Sequence, residues 1–411
     1  MMHLFVNAVA ASAGGGLTYI RNFVAQLSQR DDIRATILLS PEAKEGLFAD
    51  VRVASCPRMQ FIESKERGPV SRFWWEQIEL PRLIVSRGAD VLLSTGNIAL
   101  KNSPVPQILL SRNALYTSKH FFHDLRERGH YSLYLAEHCK RVLAKRSIAW
   151  ADCTIAPSAT FAGELQSWTG RDVLAVHHGF DGDAFFAGPA MPQLLQAKMQ
   201  AADGCLRLLF VSHYNYYRNF ETLLRAVPII KKQLSPLPLR LFLTCELSGE
   251  ANPGSYRSSS ASALVRELQI RDEVIELGAV PHQFLHHVYQ ACDLYVTPAY
   301  SESFAHPLIE AMASGLPIIA ADLPVHREIC QNAAVYPPVF SPEILAQRVV
   351  ELAKSPALRK RLADYGRRRA RDFSWSRHVQ QIIEVAKTLT GSCLEQSTNP
   401  SRAQERVEVA S

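Results

Sequence analysis

Short apolar runs alternate with helical patterns along the whole chain. MHLFVNAV (2–9), IRATILLS (33–40), ADVLLSTG (89–96), PQILLS (106–111), CTIAPS (153–158) and VLAVHHG (173–179) read as buried strands in the first half. LRLLFVSH (206–213), LRLFLTCE (239–246), EVIELGAV (273–280), LYVTPA (294–299), PIIAAD (317–322) and AAVYPP (333–338) do so in the second. Amphipathic stretches such as TYIRNFVAQLSQR (18–30) and FETLLRAVPIIKKQL (220–234) lie between them. Strands that are apolar on both faces, separated by helices, predict βαβ units and parallel sheets covered on both sides. The expected fold class is α/β, with two doubly wound Rossmann-like domains facing each other across a cleft.

Length supports two domains, because 411 residues exceed what one hydrophobic core organises. The rhythm breaks over 184–204, AFFAGPAMPQLLQAKMQAADG. This places an N-terminal domain at 1–188, a linker at 189–204 and a C-terminal domain at 205–373. A helix at 374–392 is expected to pack back on the N-terminal domain. The polar residues 393–411 lack apolar periodicity and read as a disordered tail.

The chemistry-bearing stretch is SESFAHPLIEAMASG (301–315), where Glu302 and Glu310 flank the junction of a strand and a helix. Pro307 suits a first helical turn, and Gly315 suits a helix end. The free N–H groups and dipole of a helix N-terminus favour phosphate. With Glu310 expected in that first turn, a carboxylate beside phosphate is tolerable if it accepts hydrogen bonds from neutral donors, as a ribose diol supplies. Glu302 could accept from a second polyol beyond the phosphates. The spacing therefore suits a nucleotide diphospho-sugar, although helix capping alone would also explain Glu310.

Glu302, Glu310 and the following AMASGLPIIAADLPVHREIC (311–330) resemble the donor-binding signature of family 4 glycosyltransferases, which have the GT-B fold. The resemblance covers 205–390 and, more weakly, the first half. It implies metal-independent transfer of a sugar from a nucleotide donor to a hydroxyl of a glycan or lipid-linked acceptor, with retention. Glu302 and Arg218 take the catalytic positions. Donor contacts fall to Gly14, Gly15, Gly16, Ser212, His213, Arg218, Glu302, Ser303, Phe304, Ala305, His306 and Glu310. The family's Arg and Lys for the diphosphate are replaced here by His213 and Arg218. Many members carry a histidine after a middle N-domain strand, where this chain has Ser111-Arg112-Asn113. That gap leaves open a protein that binds a nucleotide sugar without transferring it.

Composition narrows the remaining readings. The net charge of +6 suits an anionic substrate, and it also admits contact with an anionic membrane surface. No Lys/Arg run interleaved with aromatics points to nucleic acid. The basic segment 359–373 reads as a solvated helix face or a contact for phosphates or headgroups. RFWWEQIELPRL (72–83) reads as core packing, or as an acceptor or membrane contact. The eight cysteines form no CxxC or metal-spaced cluster, consistent with a reducing compartment. No segment reads as a signal peptide or membrane span, so a cytoplasmic protein, with peripheral contact at the inner membrane face, is expected. Asp181-Gly182-Asp183 spells a metal-binding motif of another architecture, and no metal role is expected for it. His177-His178, as neighbours on a strand, would point to opposite faces. His120 and His123 read as structural or surface residues.

Overall fold

The computed structural model describes residues 1–11, 15–41, 43–44, 56–65, 68–247 and 256–397. Its strands are β1 (Met2–Ala8), β2 (Ile33–Leu39), β3 (Met59–Glu63), β4 (Val91–Ser94), β5 (Gln107–Leu110), β6 (Cys153–Ala156), β7 (Val173–Ala175), β8 (Leu206–Phe210), β9 (Leu239–Leu243), β10 (Val274–Glu276), β11 (Leu294–Thr297), β12 (Ile318–Ala320) and β13 (Ala334–Val335).

The chain divides into two compact units, each with its own sheet. The first sheet has seven strands in the order β3-β2-β1-β4-β5-β6-β7. The second has six, in the order β10-β9-β8-β11-β12-β13. Every neighbouring pair is parallel. Strand order reverses at β1/β4 in one sheet and at β8/β11 in the other. In open α/β sheets, ligands bind outside the carboxyl ends of the strands at such a reversal.

The twelve expected strands are present, and β3 is additional. Its segment MQFIE is mostly half-buried at a sheet edge, so it lacks the continuous apolar run of a central strand. The units also depart from the expected boundaries. The first comprises 1–116, 137–179 and 374–411; the second comprises 117–136 and 180–373. Residues 117–136, with the helix Lys119–Glu127, therefore leave the first unit and join the second. The expected linker is also part of the second unit. Within it the helix Gln193–Gln200 buries Leu195 and Met199 in the same core as Leu308 and Met312.

The last helix, Trp375–Ser397, belongs to the first unit. It sinks Trp375, Val379, Ile382, Ile383 and Ala386 into the core formed by β1, β2 and the helix Gly15–Leu27. His378 locks this docking: its ring bonds the His177 carbonyl at 2.9 Å and the Tyr19 hydroxyl at 3.1 Å. The helix continues through 393–397, the start of the expected tail, while 398–411 lie outside the described residues.

Several ambiguous segments resolve. In the helix Pro69–Ser86, Glu76, Leu80 and Ile84 face the core, whereas Trp74 and Ile78 are exposed. One face of 72–83 therefore packs on the core, as the first reading expected. The basic segment 359–373 runs through the helix Pro356–Ala370, where Arg369 donates to the Ile329 and Glu328 carbonyls, each at 3.0 Å. At least that arginine is structural. Asp181 caps the helix Gly182–Phe186 by accepting from the Ala184 N–H at 3.0 Å. Among the described residues, no group of three or more His, Cys, Asp or Glu side chains is arranged to hold a metal. His177 and His178 lie beyond the end of β7, so strand alternation does not orient them. The seven described cysteines are free thiols. No described helix is long and apolar enough to cross a membrane.

Candidate active site

In the second unit, the site is built on the loops that leave β8 and β11, the two strands flanking the order reversal. The β8 loop is pinned at both ends. Ser212 donates its N–H to the Thr244 hydroxyl at 2.9 Å. Asn219, in the left-handed region at φ 55°, donates its side-chain amide to the Pro298 carbonyl at 3.0 Å and accepts from the Thr222 hydroxyl at 2.8 Å. The Tyr300 N–H bonds the Tyr217 carbonyl at 2.9 Å, closing the β8 loop onto the β11 loop. Asparagine tolerates positive φ better than most residues, so it can both turn the chain and bridge the loops.

This pinning brings Arg218 and Glu302 into a salt bridge, with side chains only 20% and 9% exposed. Two residues 84 positions apart in the chain thus meet. Shielding from water strengthens their attraction relative to a surface pair. His213, which stands beside this cation, is held below the ordinary histidine pKa, first by burial and second by Arg218. It is therefore neutral at pH 7, leaving Arg218 as the permanent charge of this loop.

Glu310 lies in the second turn of the helix His306–Ala313, one turn later than expected, and is buried. It accepts a hydrogen bond from the Tyr289 hydroxyl at 2.9 Å, and His282 Nε2 lies 3.6 Å from its other oxygen. Tyr289 belongs to the helix His282–Gln290 and is fully buried, so it holds the carboxylate in one orientation. Burial and the adjacent Glu310 push the Tyr289 phenol well above its ordinary pKa, keeping it a donor.

The turn before the helix is strained. Ala305 occupies the left-handed region, φ 66° and ψ 68°, at the N-cap position. For a residue with a Cβ this costs about 1–2 kcal/mol, and such strain is concentrated at functional sites. Pro307 lies in the first turn as expected. Gly315 has φ 69° just past the helix end, and an added Cβ would lie within 2.1 Å of the Arg367 guanidinium. Phe304 packs its ring edge-to-face on Phe373 at 5.7 Å and is buried in the core. A donor contact at this position would therefore be made by its backbone. His306 packs edge-on against Phe304 at 5.0 Å. Ser303 stands between Glu302 and Phe304 in the same turn.

His326 was not anticipated. Its ring is fully buried and donates its Nδ1–H to the Ala321 carbonyl, 2.7 Å away, which can only accept. Burial, assisted by Arg218, lowers its pKa to about 4. Tyr289, His282 and His326 look like ordinary core or surface residues in sequence, and only their tertiary neighbours mark them.

The first unit is simpler. Gly14 lies outside the described residues. Gly15 and Gly16 are the first residues of the helix Gly15–Leu27 rather than a loop. The requirement for glycine at 16 is internal: an added Cβ would sit 3.2 Å from Arg112 Nη2 and 3.3 Å from Ala11 Cα. Arg112 lies 5.4 Å over the Tyr19 ring, and its backbone N–H is fixed by Asn97 at 2.7 Å. Asn113 accepts from the Leu115 N–H at 3.1 Å. His120, in the helix Lys119–Glu127 of the second unit, packs edge-on against Phe340 at 5.5 Å.

Comparisons with known proteins place this architecture. Sucrose-phosphate synthase from Thermosynechococcus elongatus aligns with a TM-score of 0.72 at 17% identity, covering 95% of this chain and 100% of that one. Anabaena HepE in complex with UDP-glucose aligns with a TM-score of 0.69 at 17% identity, with the same coverage. The fold is of the GT-B class, two Rossmann-like units. Residues 194–369 match the family described as glycosyl transferases group 1. Among its relatives, a D-inositol 3-phosphate glycosyltransferase of Rhodococcus erythropolis is 30% identical over 191 residues, 46% of this chain and 42% of that protein. A phosphatidyl-myo-inositol mannosyltransferase of Mycobacterium leprae is 26% identical over 230 residues, 54% of this chain and 55% of that protein. The chain thus spans about half the length of these relatives.

Proposed function

We propose that this protein transfers a sugar from a nucleotide diphospho-sugar to a hydroxyl of a glycan or lipid-linked acceptor, without a metal and with retention at the anomeric carbon. The observation that carries the reading is the Arg218–Glu302 pair at the β8/β11 reversal. Donor binding would exchange partners: the diphosphate takes the guanidinium, and the released Glu302 carboxylate accepts hydrogen bonds from the sugar hydroxyls. As the bond to the leaving phosphate breaks, negative charge grows on that oxygen, and Arg218 with the N–H groups at Ser303–His306 stabilises it. Neutral His213 adds a hydrogen-bond donor. Glu310, already oriented by Tyr289, presents its other oxygen to the ribose diol. Retention rests on family resemblance.

The similarity to HepE bound to UDP-glucose makes a uridine donor the first to test, and the names of the relatives make inositol-type and lipid-linked hydroxyls the first acceptors. The deciding experiment is thermal unfolding with UDP, GDP and ADP, on the intact protein and on Glu310→Ala. A nucleotide at ~100 times its dissociation constant adds roughly 2.7 kcal/mol. One nucleotide is expected to stabilise the intact protein, with most of that gain lost in Glu310→Ala. A folded protein that no nucleotide stabilises would overturn the donor site. The N-domain segment Ser111-Arg112-Asn113, which offers no histidine, favours a second reading: nucleotide-sugar binding without transfer. Turnover of the stabilising donor would dismiss it.

A further inference from the structure

A second cationic constellation lies in the first unit, on residues the donor site does not use. The helix Tyr131–Trp150 places His138, Arg141, Val142, Lys145, Arg146 and Ala149 along one face, at the three- and four-residue spacing of a single helical stripe. Opposite them stand Trp168 and Thr169, which end the helix Ala159–Thr169, and Arg171 in the following turn. Together they line an open cleft of about 540 Å³.

The indole of Trp168 forms one wall. The Arg141 guanidinium lies 5.6 Å from its ring centre and the Lys145 ammonium 5.8 Å. Four permanent cations line the cleft and none of its lining residues is a carboxylate. Asp172, the acid following Arg171, is engaged by the Gln166 amide at 3.5 Å. Lys145, Arg146 and Arg171 are all exposed, so their charges face solvent rather than the core.

The position separates this cleft from sugar transfer. Both helices end here immediately before feeding β6 and β7, so the cleft lies at the amino ends of the strands. Ligands of doubly wound sheets bind at the opposite, carboxyl ends. A helix C-terminus favours a nearby cation through its dipole. That accounts for single charges but not for four lining one cleft, two of them over its indole. Val142, on the cleft wall, is 44% exposed, and Leu174, three residues after Arg171 on edge strand β7, is 47% exposed. Cations to hold phosphate, an amphipathic indole and neighbouring apolar side chains match a lipid headgroup layer above acyl chains.

We propose that this cleft is a docking site for an anionic lipid surface: Lys145, Arg146 and Arg171 engage headgroup phosphates, Trp168 lies at headgroup level, and Val142 and Leu174 enter the layer beneath. The proposal is independent of what the donor site does.

Co-sedimentation of the full chain with phosphatidylcholine vesicles, with and without phosphatidylglycerol, tests it. The intact protein is expected on the phosphatidylglycerol vesicles only, with retention falling as salt rises. Lys145→Glu/Arg171→Glu is expected to weaken retention at least ~tenfold while keeping the unfolding midpoint and any nucleotide-induced shift of the intact protein. Val142→Ser is expected to give a smaller loss that persists at high salt. Failure of the intact protein to bind, or equal retention of the double variant, overturns the proposal. So does full release from the vesicles by millimolar glycerol phosphate, which would assign the cleft to a soluble phosphate ester instead.

Discussion

The two units share one construction plan but use it differently. In the second, the loops after β8 and β11 carry opposite charges that meet, Arg218 with Glu302, and a buried tyrosine aims Glu310. In the first, the described residues after β1 pack closely on one another: a Cβ at Gly16 would press on Ala11 Cα and Arg112 Nη2. The second unit pairs its charges with each other, whereas the first packs a charge over a tyrosine ring. A glycine run after a first strand is therefore not by itself a sign of a ligand loop.

The sharpest way to break this contrast is to remove the cation from the second unit. Arg218→Ala should lower the rate of sugar transfer on the order of 10²- to 10³-fold, the scale for losing one preorganised group at a developing anion. It should leave Glu302 as a buried carboxylate without its partner. Steady-state rates with the donor that stabilises the protein check this, and an unchanged rate would place the diphosphate elsewhere.

A second test uses pH. His326 is fully buried with its pKa lowered to about 4, whereas an unfolded histidine titrates near 6.5. Below the unfolded value, the unfolded chain binds a proton that the folded protein refuses. The stability that this ring supports is therefore complete above about pH 6.5 and is lost as pH falls towards 4, on the order of 3 kcal/mol at most. His326→Gln should flatten the decline of the unfolding midpoint between pH 7 and pH 4.5. The same steep decline in the variant would assign it to other groups.

Smaller effects probe the two backbones. Gly16→Ala should cost about 1–2 kcal/mol, because Ala11 Cα cannot retreat as easily as the Arg112 side chain. Pairing it with Arg112→Ala should recover part of that loss in denaturant titrations if the guanidinium is the main obstacle. Ala305→Gly goes in the opposite direction. Relieving φ 66° should stabilise the second unit by up to about 1 kcal/mol, while the looser turn should weaken donor binding. Loss of stability would show that the turn is not strained.

How much was legible depends on the range of the interactions. Twelve strands announced themselves because a parallel strand buried on both faces must be apolar throughout. β3 did not, because an edge strand can afford Gln60 and Glu63. Glu302, Pro307 and Gly315 were legible because a strand-to-helix turn imposes local rules on neighbouring residues. Glu310 was placed one turn too early because the helix begins at His306, before Pro307, and alanine at 305 gives no hint of the positive φ that turns the chain into it. Tyr289, which orients Glu310 from 21 residues away, had no local signature at all. The same holds for residues 117–136: their helix follows ordinary amphipathic rules, but nothing in its pattern says which core it serves.

The division of the chain has a consequence for how it can be made. The backbone passes from one unit to the other at 116/117, 136/137, 179/180 and 373/374. Domains generally fold during synthesis, the N-terminal one first. Here, when residue 179 emerges, the first unit still lacks Trp375, Ile382 and Ile383, and the apolar surface they cover is bare. The second unit can assemble completely before the first receives its final helix. Fragments cut at 179/180 should accordingly fail to give two self-sufficient halves, and a ribosome carrying this chain must hold the earlier unit incomplete until the later one has been made.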